Sequence, residues 1–269
     1  MKNNVLLKGA LAFAAASIIG ASAHAQTLLA NPSDVIFNMY ATGGPGTSYD
    51  YEVDLGSYSN FLSGGSYDTG AVVTLSGVSI ADISGSVSGQ GFGSNWDSDG
   101  DVNWSVIGTN YTNTVTHAPK YTVLATDTGA LANFMNQTTA QTTSANIALY
   151  PNQINTDGLS TTANSSSAIF DNQGDLSEYY DAAGGTGSAP FFGGLPTSFE
   201  VTASGATTTG LYEALPSVHT GNATELGTFT LSSSGLTYQA VAAVPEPSTW
   251  ATILVGAATL FGLRRRRMA

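Results

Sequence analysis

Apolar and polar positions alternate along several short stretches of the chain, and this period of two is the strongest structural signal it carries. Tyr49, Tyr51, Val53 and Leu55 interleave with Asp50, Glu52 and Asp54, which predicts a strand with one buried and one solvated face. Val102, Trp104 and Val106 against Asn103 and Ser105 predict a second, and Tyr121 and Val123 against Thr122 a third. Phe199 and Val201 against Glu200 and Thr202 predict another, and the runs Val35 to Tyr40 and Ala71 to Leu75 fit further strands. Phe229 and Leu231, then Leu236 and Tyr238, predict a hairpin whose turn, Ser232 to Gly235, holds the glycine such turns favour. Helical spacing of Leu131, Phe134 and Met135 behind the capping candidates Asp127 and Thr128 predicts one short helix. From Asn136 to Ser167 serine, threonine and asparagine dominate, which predicts exposed loops with at most a strand near Ile147 to Tyr150. Many short strands and glycine-rich turns point to a mainly β fold, an antiparallel β-sandwich of jelly-roll type, in a single domain within residues 26 to 243.

The two ends follow a different pattern. Lys2 and Lys8 precede an apolar, alanine-rich run from Leu11 to Gly20, and Ala23-His24-Ala25 supplies small residues for cleavage before Gln26. Residues 1 to 25 therefore read as a secretory signal peptide, with signal peptidase and the export machinery as partners. At the other end, Trp250 to Leu263 is an uninterrupted apolar run of 14 residues followed by Arg264, Arg265, Arg266 and Arg267. As a helix it reaches about 21 Å against a hydrocarbon core of roughly 30 Å, a marginal transmembrane span. The arginines hold their end in the cytoplasm, leaving the rest of the chain outside. Pro245, Glu246 and Pro247 precede the run, and two prolines keep that segment extended with few backbone donors.

This order of Pro245-Glu246-Pro247, apolar helix and basic cluster resembles the PEP-CTERM sorting signal of Gram-negative bacteria, here covering residues 244 to 269. The resemblance implies that an exosortase, a membrane protease, recognises Pro245, Glu246 and Pro247 and processes the tail. It also implies an association with exopolysaccharide. The stretches "DLGSYSNFL", "GSNW" and "VNWSVIGT" resemble segments in the bodies of other proteins with this tail, a body type that brings no catalytic residue with it.

Charge narrows the field further. Of 19 carboxylates, 18 lie between Asp34 and Glu225, whereas Lys120 is the single Lys or Arg between Lys8 and Arg264. Such a polyanion cannot displace counterions from phosphates, which excludes nucleic acid as a partner. The absence of cysteine removes disulfides, thiolate metal sites and cysteine nucleophiles.

Asp97, Asp99 and Asp101 alternate around Gly100 and form an oxygen-rich loop that is a candidate for calcium, although Val102 and Gly108 occupy the positions where an EF-hand needs glycine and glutamate. Trp96, beside Asn95, is a candidate exposed platform for a sugar ring, whereas the alternation around Trp104 places that ring in the core. Asp50, Glu52 and Asp54 share the solvated face of their strand. Gly89 to Gly93 ("GQGFG") lacks the third glycine spacing of a dinucleotide fingerprint and reads as a turn. His117 and His219 carry no ligand spacing, no G-x-S-x-G elbow occurs, and no catalytic residue stands out. The expected protein is an exported, non-enzymatic surface or exopolysaccharide-matrix component that needs no cofactor. It travels as a precursor tethered to the inner membrane by its last helix, then reaches the cell surface or medium. The alternatives are a calcium-assisted carbohydrate-binding module and, behind it, a glycan hydrolase using paired carboxylates.

Overall fold

The computed structural model describes residues 30–86, 90–111, 120–127, 137–157, 168–172, 199–216 and 223–241. Within them the chain is mainly β. Ten strands are present: β1 (Asp34–Ala41), β2 (Tyr49–Ser57), β3 (Val72–Thr74), β4 (Val102–Asn110), β5 (Thr122–Asp127), β6 (Ala168–Asn172), β7 (Val201–Thr202), β8 (Thr207–Ala214), β9 (Thr224–Ser232) and β10 (Gly235–Ala240). These strands join edge to edge in one antiparallel sheet of order β3-β10-β9-β8-β5-β4-β1-β2-β6, with β7 also paired to β4. The sheet curls into a half-barrel.

The curl follows from where the apolar side chains point. Val35, Phe37 and Met39 of β1, Tyr51 and Val53 of β2, Trp104 and Val106 of β4, Leu211 of β8, Phe229 and Leu231 of β9 and Tyr238 of β10 all meet in one buried cluster. A flat sheet of this width could not bring its two arms to a common core, so burial of this face bends it. The concave side is filled from residues 58–86 and 90–96. There the 3-10 turn Tyr58–Phe61 inserts Phe61 against Tyr238 and Phe229, with ring centroids 5.2 and 5.9 Å apart. Leu75, Val78, Phe92 and Trp96 join the same cluster, as does Ile83 of the short helix α1 (Ile80–Ile83), which is capped by the Ser79 hydroxyl. The β9–β10 hairpin forms as expected, pairing Leu231 with Leu236; Ser233 and Ser234 make the turn, and Gly235, at φ 127, opens β10 opposite Ser232.

The largest departure from expectation is α2 (Gln137–Asp157), a helix of 21 residues where loops were predicted. Its buried positions Ala140, Thr143, Ser144, Ile147 and Ala148 recur at helical spacing, but the stripe is made of small and hydroxyl residues. It packs on β4 and β5, on the convex side of the sheet, where the Ser144 hydroxyl lies 2.5 Å from Thr109 Oγ1. Among the described residues no helix is long and apolar enough to cross a membrane. The predicted helix at Leu131 to Met135, the leader with Ala23, Ala25 and Gln26, and the tail with Pro245, Glu246, Pro247 and Arg264 to Arg267 lie outside the described residues, as do His117 and His219.

Candidate functional site

Trp96 cannot serve as a sugar platform. The 3-10 turn Trp96–Ser98 folds the indole inward, leaving it 2 % exposed in the main apolar cluster. A flat aromatic of this size gains more from burial than a two-residue polar flank can offset. Trp104 is fully buried, as its alternation predicts.

The acidic turn divides its three aspartates among separate tasks. Asp99 Oδ1 accepts the Asp101 amide at 3.1 Å and so closes the turn on itself. The Asp101 carbonyl accepts the Thr42 amide and hydroxyl at 2.8 and 3.2 Å, tying the turn to the β1–β2 loop. The Asp97 carbonyl accepts the Gly205 amide. Among the described residues no group of three or more His, Asp or Glu side chains is placed to hold a metal ion. The glycine-rich stretch beside it is structural: Gly91 has φ 130 and sits against the backbone of Asp82, Ile83 and Gly85 with no room for a β-carbon.

The carboxylates of β2 separate into two environments, which corrects the expectation that all three are solvated. Asp50 and Glu52 are fully buried on the convex face. Asn38 lies between Glu52 on β2 and Ser105 on β4 in one row across three strands. Above that row the Tyr150 hydroxyl of α2 donates to the Glu52 carboxylate and lies 3.0 Å from Asn38 Oδ1. Alternation told that these acids share a face; at Glu52 it is Tyr150 of α2 that covers the side chain. Close by, Glu200 precedes β7 and bonds Tyr40, and burial pushes its carboxyl up to about 7.

Asp54 differs because it opens onto a cleft of about 260 Å³ lined by Leu55, Gly56, Tyr67, Thr74, Leu75 and Ser76. Its Oδ1 accepts the Gly56 amide at 2.7 Å, yet partial burial pushes the carboxyl up to about 6, with the negative Asp34 adding to the shift. Tyr67 spans the cleft wall, its hydroxyl 3.4 Å from the Leu55 carbonyl. Asp34 is turned away, its Oδ2 accepting the backbone and side-chain N–H groups of Asn31 at 2.7 and 2.8 Å.

No family model matches the chain, and neither a curated protein nor a solved structure does. The chemistry of the described residues thus stands by itself. The Asp54 cleft offers one open carboxylate beside a phenol and two hydroxyl residues, and is smaller than the roughly 300–1,000 Å³ typical of sites that bury a drug-sized ligand. The facing pair of acids that glycan hydrolysis needs is not assembled there, since Asp54 is the one carboxylate among the lining residues. The alternation of Tyr49 to Leu55 placed Asp54 on one face with Asp50 and Glu52, but its distinction from Glu52 depends on where α2 lies, and no local signal reveals that.

Proposed function

We propose that this protein is an exported surface or exopolysaccharide-matrix structural component, sorted through the inner membrane and processed by an exosortase at its carboxy-terminal motif. The observation that carries this reading is the order of Pro245-Glu246-Pro247, the apolar run Trp250 to Leu263 and the four arginines at 264 to 267. An amino-terminal leader at the other end agrees with it. The body suits such a role in having one basic residue, Lys120, so that it does not adhere to phosphate-rich surfaces by charge. In the same reading the two arms of the curled sheet, β3-β10-β9-β8 and β4-β1-β2-β6, correspond to the layers of a jelly-roll-like sandwich joined through β5. Intact mass of the protein recovered from cell surface and medium tests the proposal. Loss of the leader and of the tail beyond the motif is the expected result, and a surface form that retains Arg264 to Arg267 overturns processing.

The Asp54 cleft favours a second reading, a carbohydrate-binding module that engages one sugar residue through Asp54, Tyr67, Thr74 and Ser76. Calorimetry of the protein and its Asp54→Asn variant against the host polysaccharide checks this. Heat that disappears in the variant supports it, and absence of heat with the unaltered protein removes it.

A further inference from the structure

The described residues expose four large apolar side chains, and three of them share one end of the sheet: Val72 at 60 %, Leu215 at 42 % and Val241 at 48 %. The strand register establishes the common end. Val72 pairs with Gln239 near the end of β10, and Val241 follows β10, its amide bonded to the Leu226 carbonyl at 2.9 Å. Leu215 follows β8, whose Glu213 pairs with Thr224 at the start of β9. The last residue of β4 and the first of β5 reach the same end, because Asn110 pairs with Thr122 and Ala214 with Val123. There Lys120 Nζ stands 4.7 Å from the Tyr121 ring centre and 5.6 Å from that of Tyr111, an aromatic pair clasping the one basic side chain of the described residues. The β9–β10 turn at Ser233 and Ser234 marks the opposite end, with Gly235 to Ala240 of β10 spanning about 20 Å between the two.

Exposed apolar residues scattered singly need no explanation. These three share the end from which the chain leaves for its apolar tail. Nine peptide steps separate Val241 from Trp250, so the two lie at most about 30 Å apart even when fully extended. Three aliphatic side chains hold a lipid surface only weakly, but a short tether makes the contact intramolecular and raises its effective concentration. Tyrosine and lysine together are the residues that sit well at a lipid–water boundary, ring in the apolar zone and amine in water.

We propose that this end of the sheet, with Val72, Leu215, Val241 and the Tyr111–Lys120–Tyr121 cluster, rests on the lipid headgroup surface of the membrane that holds the carboxy-terminal run. The protein is thereby fixed in an upright orientation, with Ser233 and Ser234 farthest from the bilayer. This inference rests on the tether reading given above. Its contact is apolar rather than ionic, since Glu225 is exposed at the same end and Lys120 is the one basic residue among the described residues.

The chain has no cysteine, so single nitroxide labels can be placed at will. Val72→Cys, Leu215→Cys and Ser233→Cys alter exposed sites and leave the core untouched. Each labelled chain, tail intact, is reconstituted in phosphatidylcholine vesicles, and access to oxygen and to a water-soluble nickel reagent is compared with that in detergent. The labels at 72 and 215 should lose nickel access and gain oxygen access in vesicles, while the label at 233 stays unchanged. Three labels that respond alike in chains floating with the vesicles overturn the orientation and leave the tether standing. Chains that fail to float overturn both. Loss of nickel access at 72 and 215 in detergent as well assigns the surface to another protein copy and overturns the lipid contact.

Discussion

The hydroxyl of Tyr150 and the carboxylate of Glu52 are hydrogen-bonded in the interior although 98 positions separate them in the chain. The bond joins α2 to the convex face of the sheet at its most polar point. Removing the phenol oxygen takes a hydrogen bond from a buried acid, so Tyr150→Phe should cost roughly 1.5–3 kcal/mol. Urea unfolding checks this: the midpoint falls while the slope is kept.

Stability should decline as pH rises through the mildly acidic range. Burial raises Asp54 to about 6 and Glu200 to about 7, and it also raises Glu213. An unfolded carboxyl titrates near about 4, so between that value and about 7 the folded state binds more protons than the unfolded one. Raised groups of this kind favour the fold when protonated and lose that contribution as they ionise. Melting temperatures should therefore be higher near about pH 5.5 than near about pH 8, and Asp54→Asn with Glu200→Gln should flatten the difference. An unchanged pH slope in the double variant refutes the assignment.

Trp96 and Asp101, five positions apart, should differ sharply in their sensitivity to substitution. Trp96→Ala empties part of the main apolar cluster and should cost about 3–5 kcal/mol. Asp101→Asn alters an exposed carboxylate whose backbone, rather than side chain, anchors the turn, and should stay within about 0.5 kcal/mol. Chemical unfolding of the two variants separates these outcomes.

Gly91→Ala combines a backbone angle hostile to L-residues with a β-carbon driven against three backbone segments. The conformational part alone costs on the order of 1–3 kcal/mol, and the collision adds to it because backbone yields less readily than a side chain. A melting temperature equal to that of the unaltered protein would show that Gly91 is not packed on the backbone of Asp82, Ile83 and Gly85 as described.

Strands were legible where one face is apolar and the other polar. β2, β4 and the β9–β10 hairpin all showed this, and the period of two also sorted Trp104 into the core. The single sheet was not legible, because alternation reports two faces per strand without saying whether the arms close on each other or on a second layer. α2 was hidden for another reason. Its contact face uses Thr143 and Ser144 where a helix usually places Leu or Ile, so the stripe gives almost no hydrophobic contrast, and threonine is a poor helix former. That concealed helix also accounts for the burial of Glu52, because nothing apolar in the sequence announces the Tyr150 cover. Trp96 was misplaced because three residues of 3-10 turn decide its direction, too few for any periodicity.

Lys120, clasped by Tyr111 and Tyr121, has a practical consequence for digestion. Between Lys8 and Arg264 it offers trypsin its one target, the bond to Tyr121. That bond sits in a constrained turn, with Tyr121 at φ 68 and its amide bonded to the Asn110 carbonyl at 2.9 Å. A body built this way escapes every hydrolase that requires a basic residue before the scissile bond, unless the turn opens. In a tryptic peptide survey of the host it would be nearly invisible, and a cut elsewhere in the backbone chemistry, after aromatic or acidic residues, is needed to find it.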